Sequence, residues 1–560
     1  HLLTTIPFLD HESTTIELIE NVESPFAHHY LFQEKINGKK VMNATIKVNV
    51  DKYGNQLSLF NRTISPSLAV NDDFPSESIA TSQIGDLIDE QGTGRIERSE
   101  VEEVFFFNGH SLIPSVRIEV LGEEGSYYEM VLDKDLKVIY QNDLLTYFNR
   151  TQIDSPVTAY VFLPDPLSTA EVDYGTPYSD QDDAAVNELD AQRQAVTVDV
   201  EFGGSFFELV NPWVKFNEHS PPTNTPAISA TPEFNYTRDN DRFEEVNAYY
   251  HITAFQQHIQ DLGFTNLVNY QISVDVHALN GADNSNFNNG ANPPRLSFGD
   301  GGVDDAEDMD VIIHEYGHAI MHSAAPGTNG GTERRTLDEA NGDFFAASYS
   351  RFLTPYAWEN VYSWDGHNEF WSGRMATSSK HYPEDMVGNI YSDADIWSST
   401  LMEIWGDIGR DKTDAILMQS AYSYAEGMSM TDAAWLYLQA DTLLFSGENF
   451  NSIHQRMYNR GFIPWVGIDE QTDQSTVSIY NTEGFAKGEG AVIIRSEKPL
   501  GSRITVSDVT GRMVLSEGIE NRYEWSISPD RFPSSGVYLI NIAQSDRQVT
   551  FKLIKLNPER

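Results

Sequence analysis

Residues 311–322 read VIIHEYGHAIMH. On a helix, positions i and i+4 share a face, so His314 and His318 stand one turn apart and can grip one metal ion. Glu315 lies beside them, placed to take a proton from a water that the metal polarises. Zinc suits such a site, because imidazole and carboxylate groups are its ligands and it makes a water acidic enough to ionise near neutral pH. The same five-residue pattern also arises by chance, so the surroundings decide. Ile312, Ile313, Ile320 and Met321 mark a buried helix. Burying two histidines and a glutamate without partners costs on the order of several kcal/mol, a penalty that a metal removes.

Three candidates stand for a third ligand. His322 shares the helix face, but it lies about 12 Å along the axis from His314. Ligand bonds of about 2 Å cannot span that length. His322 therefore reads as an exposed histidine at the helix end. A histidine six residues after His318 would give the metzincin pattern, but that position is Ala324. Glu339, in TLDEANGDFFAASYS, follows a loop containing PGTNGG and opens a further helix that can cross the first. Its rival reading is a capping box, Thr336-x-x-Glu339. Asp343, one turn beyond Glu339, is placed to accept the outer N–H of a metal-held histidine.

The run Asp300, Asp304, Asp305, Glu307 and Asp308 precedes the motif. It has two readings: oxygen ligands for calcium, which takes about 6 to 8 of them, or negative charge that favours a helix N-terminus.

Stepping outward, 560 residues predict three or four domains. The formal net charge of −47 disfavours nucleic acid and anionic membranes as partners. With Cys 0, disulfides, thiolate catalysis and cysteine-held zinc are excluded. No apolar run is long enough for a transmembrane helix. The chain starts at His1 without a basic-then-apolar leader, which fits a leader already removed or one outside this stretch.

Up to about residue 150 the pattern is β-rich, with turns at Asn37-Gly38, at Tyr53-Gly54 and near Asp133–Asp135, and a weakly helical stretch around Ser78–Glu103. Residues 154–195 are rich in Pro, Asp, Ser and Tyr and read as linker. A Pro-rich loop follows at 218–234. From Asn240 to about Tyr458 the spacing is helical, as in DRFEEVNAYYHITAFQQHIQDLG, which stops at Gly263. After Trp465, short alternating strands predict a β-sandwich.

HEYGH followed by EANGD resembles the Glu-zincin pattern of thermolysin-like and fungalysin-like metallopeptidases. SFGDGGVDDAEDMDVIIHEYGHAI is more similar to the fungalysin side, in its secreted Bacteroidetes-type relatives. The likeness covers most of 155–465. GADNSNF resembles the edge-strand segment whose asparagine holds the substrate backbone, here Asn284. YSDADIWSSTLMEIWGDIGRDKTDAI resembles the helix that carries a transition-state-stabilising histidine. This chain has Tyr391 at that place, and a tyrosine hydroxyl also donates to an oxyanion. His381 and Arg374 are further candidate donors. No tyrosine shortly precedes Glu339, where thermolysin-like enzymes have one. Residues 25–62 and 115–146 resemble the paired propeptide modules of such precursors, fungalysin/thermolysin propeptide-like and PepSY-like. Residues 473–560, with VSDVTGRMV and SSGVYLINI, resemble the type IX secretion C-terminal sorting domain.

The resemblance implies a multidomain chain. Residues 1–152 would be a β-rich α+β prodomain. Residues 153–466 would be a two-lobed α+β zincin catalytic domain with a mostly helical C-terminal lobe, and 473–560 a β-sandwich sorting domain. The expected activity is zinc-dependent endopeptidase, in precursor form. Zinc on His314, His318 and Glu339 is the cofactor, with calcium as a second cation to weigh. The expected partners are a protein or peptide substrate, the chain's own prodomain as inhibitor over the cleft until cut around 150–195, and the secretion machinery. The expected location is extracellular, free or held at the cell surface through the C-terminal domain. The rivals are a zincin-fold binding or adhesion protein that has lost catalysis, and a metal-dependent hydrolase of non-peptide substrates.

Overall fold

The computed structural model describes residues 14–52, 54, 56–64, 74–75, 96–107, 111–122, 127–143 and 155–463, save 182, 204, 292 and 293. Beyond these it describes 477–481, 492–496, 503–508, 513–519, 522–528, 531–532, 536–543 and 548–555.

The N-terminal part is one eight-stranded sheet, ordered first-second-third-fifth-sixth-seventh-eighth in the chain, with the fourth strand pairing the third. Asn37 and Gly38 adopt φ of 50° and 77° between strands Ala27–Ile36 and Lys39–Asp51. Such a two-residue turn matches the twist of the strands it joins. Asp133 closes the turn after Tyr127–Leu132 by accepting from the backbone N–H groups of Asp135 and Lys137 at 2.9 and 3.1 Å. The expected helical stretch around 78–103 is corrected at its end. Ile96–Phe107 is a strand, paired along its length with Leu112–Gly122. Cross-strand pairing and the aromatic run at 105–107 outweigh the helix preference of its glutamates. Residues 78–95 lie outside the described residues.

The expected linker is also corrected at its start. Ser155–Val161 is a strand, with Val157, Ala159 and Val161 buried in alternation. This period of two outweighs the Pro and Asp around it. The strand sits inside a five-stranded sheet, antiparallel to Gln194–Phe202 and parallel to Glu233–Phe234. A second sheet runs in the order Val214–Phe216, Ile272–Asp275, Arg295–Phe298, Ser285–Asn288, so Ser285–Asn288 is an edge.

The longer helices are α1 (Phe243–Asp261), α2 (Met309–Ala324), α3 (Thr332–Leu353), α4 (Ile390–Ile408), α5 (Arg410–Ala421), α6 (Met430–Phe445) and α7 (Phe450–Asn459). The expected stop at Gly263 is present, and two further ends carry caps. Gly263, at φ 92°, follows α1, Asn389 accepts from the N–H groups of Tyr391 and Ser392 at the start of α4, and Ser429 with Asp432 forms a capping box on α6. One continuous core, from Val157 to Ile463, joins these helices to the two sheets.

The N-terminal sheet packs on the helical part. The His29 and Tyr422 rings stack with centroids 5.4 Å apart. Gln419 donates to Ser24 Oγ at 3.0 Å, and Gln439 donates to the Leu57 carbonyl at 2.7 Å. The C-terminal strands form a three-stranded and a four-stranded sheet around a shared core that includes Val492, Ile504, Trp525 and Ile540. Among the described residues no helix is long and apolar enough to cross a membrane.

Candidate metal centre

The site is built where α2 crosses α3. Each helix carries a glycine in its interior, which costs about 1 kcal/mol relative to alanine. The crossing explains both. A Cβ on Gly317 would stand 2.9 Å from Gly342 Cα, and a Cβ on Gly342 would stand 2.7 Å from His314 Nδ1. The two backbones therefore approach closely enough for side chains of α3 to meet the histidines of α2.

Two imidazoles and one carboxylate converge there. His314 Nε2 is 3.5 Å from Glu339 Oε2, and His318 Nε2 is 3.8 Å from Glu339 Oε1. The outer nitrogens are held from behind. His318 Nδ1 is 3.1 Å from Asp338 Oδ2, which Arg334 steadies through Oδ1, also at 3.1 Å. His314 Nδ1 is 3.0 Å from Asp343 Oδ1 and 2.7 Å from the Tyr362 hydroxyl, which itself donates to Asp343 at 2.8 Å. With a proton on each Nδ1, both Nε2 lone pairs face Glu339. Burial pushes the Asp338 carboxyl up, but the hydrogen bond from His318 and the Arg334 charge bring it down to about 2. Burial also opposes ionisation of Asp343, and the Arg374 charge with the bonds from His314 and Tyr362 holds it well below the usual carboxylate range. Both acceptors are therefore ionised at neutral pH.

These donors fit zinc. Tetrahedral ligands at about 2.05 Å stand roughly 3.3 Å apart, close to the two nitrogen–oxygen separations in this cluster. His318 and Glu339 keep side-chain exposures of 16% and 13%, so the group opens to solvent on one side. Burial lowers the His318 imidazole, yet the surrounding carboxylates raise it to about 10. The pocket thus favours positive charge between the Nε2 atoms and Glu339.

Glu315 is buried and accepts a hydrogen bond from Ser285 Oγ at 3.0 Å, which ties α2 to the edge strand. Asn284 is exposed and immediately precedes that strand; its carbonyl accepts from Gly299 N at 3.1 Å. Arg374 reaches the cluster, with Nη1 2.7 Å from Asp343 Oδ1 and 3.5 Å from Glu339 Oε2. Tyr391, 54% exposed at the start of α4, lies with its ring 5.3 Å from the Arg374 guanidinium. His381 is exposed, and its backbone N–H donates to Asp385 at 2.7 Å. The structure thus brings together His314, His318, Glu339, Asp343, Arg374 and Tyr391, with Glu315 alongside, and leaves His381 on the surface.

Three expectations need correction. His322 is half-buried rather than exposed. Its Nδ1 accepts from Asn289 at 2.8 Å, and burial lowers the ring to about 4. The capping-box alternative for Glu339 falls, because α3 begins at Thr332 and Thr336 lies inside it, donating to the Thr332 carbonyl at 3.0 Å. The acidic run is not one cage, because Asp305–Glu307 form a tight turn that sends successive side chains apart. Asp308 caps α2 and also accepts from the N–H groups of Trp364 and Asp365, both at 3.0 Å. Glu307 takes the Arg238 guanidinium at 2.9 Å. Asp304 joins His277 and Asp300, and Asp305 joins Asp283 and Asp365.

Sequence reading missed Asp338 and Tyr362. Asp338 is the sequence neighbour of Glu339, but only the crossing of α3 over α2 brings it behind His318. Tyr362 carried no periodic signal. It sits in a loop at φ 64°, a conformation a tyrosine rarely adopts. Its N–H is anchored on Asp310 Oδ2 at 2.9 Å.

Comparison with known proteins adds two findings. Residues 488–556 match the family described as secretion system C-terminal sorting domain. This is a type IX sorting domain, and the chain is a secreted protein. Among solved structures, the chain is similar to the precursor of protealysin, a metalloproteinase from Serratia proteamaculans. The identity is 12%, the TM-score is 0.35, and the match covers 45% of this chain and 87% of that one. No curated protein matches the chain.

Proposed function

We propose that this secreted chain is the precursor of a zinc-dependent endopeptidase. In this reading residues 1–152 are its prodomain, 153–466 a two-lobed Glu-zincin catalytic domain, and 473–560 the sorting domain. The observation that carries the reading is the convergence of two imidazole Nε2 atoms on Glu339 while their Nδ1 atoms are held by Asp343, Tyr362 and Asp338. His314, His318 and Glu339 would hold the metal. Bound there, zinc would supply Lewis acidity for a carbonyl and acidify a water.

The remaining work falls to groups of the chain. Glu315, steadied by Ser285, takes the proton of the attacking water and delivers it to the leaving amine nitrogen. Arg374 and the Tyr391 hydroxyl offer donors to the oxyanion that develops on the scissile carbonyl. The open edge of Ser285–Asn288, with Asn284 at its start, suits an extended peptide added as a further strand. Such backbone pairing favours a peptide over other hydrolysable bonds. The N-terminal sheet, docked on the helical part, suits a domain removed on activation.

The test is cleavage of casein and of a quenched peptide library after removal of the N-terminal region, in the parent chain and in Glu315→Gln. Cleavage in the parent that falls by a factor on the order of 10³ or more in the variant is the expected result, since the loss removes the proton carrier. Cleavage unaffected by the substitution, or hydrolysis only of non-peptide esters, would overturn the reading.

A further inference from the structure

A second group of carboxylates lies apart from the histidines. Asp283, Asp305 and Asp365 each offer an oxygen within 4.8 Å of the others. They come from three separate segments: the loop that leads into strand Ser285–Asn288, the turn before α2, and the loop after Tyr362. Acidic clusters are common on protein surfaces, but this one is mostly internal. Asp305 and Asp365 are only 2% and 4% exposed.

Asp365 accepts one hydrogen bond, from Trp371 Nε1 to Oδ2 at 3.0 Å, and its Oδ1 has no hydrogen-bond partner. A buried carboxylate oxygen left unpaired loses its hydration with nothing to replace it. Asp305 Oδ2 takes a single long bond from Gly299 N at 3.3 Å. No lysine or arginine is ion-paired with any of the three among the described residues. Burial and mutual repulsion raise the Asp365 carboxyl to about 7 and push the Asp305 carboxyl well above its ordinary value. Positive charge at the centre of the group would relieve both.

Backbone packing holds the third carboxylate in place. A Cβ at Gly301 would stand 2.3 Å from Asp283 N, and one at Gly302 3.1 Å from Asp283 Oδ2. Glycine at 301 and 302 lets this loop lie so close to Asp283. Asp283 itself is exposed, which gives a cation a route in.

We propose that Asp283, Asp305 and Asp365 form a binding site for a hard divalent cation of the calcium class, which clamps the loop carrying Asp283 to the base of α2. Three carboxylates from separate segments, completed by water and backbone oxygens, are the donor set that such ions take. The clamp would fix the start of the edge strand, since Asn284 directly follows Asp283. The site does not depend on the zinc reading, because it shares no residue with it.

Trp371 makes it testable, because its indole contacts Asp365 and can sensitise terbium emission. The zinc-loaded full chain, stripped of other divalent ions, is titrated with terbium under tryptophan excitation and then with calcium. Saturable emission that calcium displaces is expected. Asp283→Asn, at an exposed position that cannot upset the core, should weaken calcium at least tenfold, and Asp365→Asn should abolish it. Trp371→Phe should cut emission more than twofold while equilibrium dialysis still finds calcium bound. His318→Ala should leave the emission intact, which separates this site from the histidine centre. Absence of calcium-displaceable emission would overturn the proposal. So would an unchanged calcium affinity in Asp283→Asn, or emission lost with His318→Ala.

Discussion

Gly342→Ala sets two physical effects of opposite sign against each other. In a helix interior, alanine is favoured over glycine by about 1 kcal/mol. The new Cβ, however, would stand 2.7, 2.9 and 3.1 Å from Nδ1, Cε1 and Cγ of His314. Ordinary contact begins near 3.4 Å, so the ring or the helix must move by roughly 0.7 Å. The ring cannot simply swing away, because its Nδ1 is held by Asp343 and Tyr362. Overpacking of this size costs about 1–3 kcal/mol, which cancels or exceeds the helix gain. Net stability of the metal-free protein should therefore change by about 0 to −2 kcal/mol. Zinc should suffer more, since ligand distances tolerate only about ±0.2 Å. A loss of about 10–100-fold in affinity is expected, the size seen when supporting groups are disturbed. Competition with a chromogenic zinc chelator measures it, beside thermal unfolding of the chelator-treated protein. Unchanged zinc affinity together with a higher melting temperature would refute the crossing geometry.

Two further outcomes follow from the same structure. Tyr362→Phe removes the hydroxyl shared by His314 and Asp343 but keeps the ring; zinc affinity should fall about tenfold with a stability loss of about 1–2 kcal/mol, read by the same competition and by denaturant unfolding. His251, buried in α1 with Nε2 on the Phe162 carbonyl at 2.9 Å, is lowered by that burial to about 3 from an ordinary 6.5. The unfolded chain takes up its proton below pH 6.5 while the folded one does not, so this group's stabilisation is present above that pH and is lost as pH falls toward 3. Between pH 7.5 and 5.5 the loss is about 1.4 kcal/mol; it should be absent from His251→Gln and so appear as the difference between the parent chain and that variant in urea unfolding at the two pH values.

Much of this site was legible because it rests on local periodicity. His314, Glu315 and His318 were read as candidates from the helical repeat together with the apolar residues around them, and Glu339 and Asp343 from a second helix with one turn between them, against a capping-box rival. What sequence could not supply was the partner of each group across space. Asp338 was read past because its role depends on the angle at which α3 crosses α2. Tyr362 lies in a loop whose left-handed backbone no pattern announces. Gly317 and Gly342 carried no reading in the sequence, and the close crossing explains them. The acidic run misled for the opposite reason. Adjacent residues look like one cluster in sequence, but a tight turn at Asp305–Glu307 distributes them among a cap, an ion pair and two separate groups. In the fold, the strand at 155–161 was hidden by composition, since Pro and Asp outweighed its alternation in the reading but not in the sheet.

The central claim is that His314, His318 and Glu339 together hold one zinc ion. Its most direct test is the zinc content of the purified chain by mass spectrometry of the metal, in the parent and in His314→Ala, His318→Ala and Glu339→Ala, each checked for folding by circular dichroism. The account predicts about one zinc per parent chain and a fall to a small fraction of that in each variant. A parent chain without zinc, or variants that are folded and still carry it, would contradict the account.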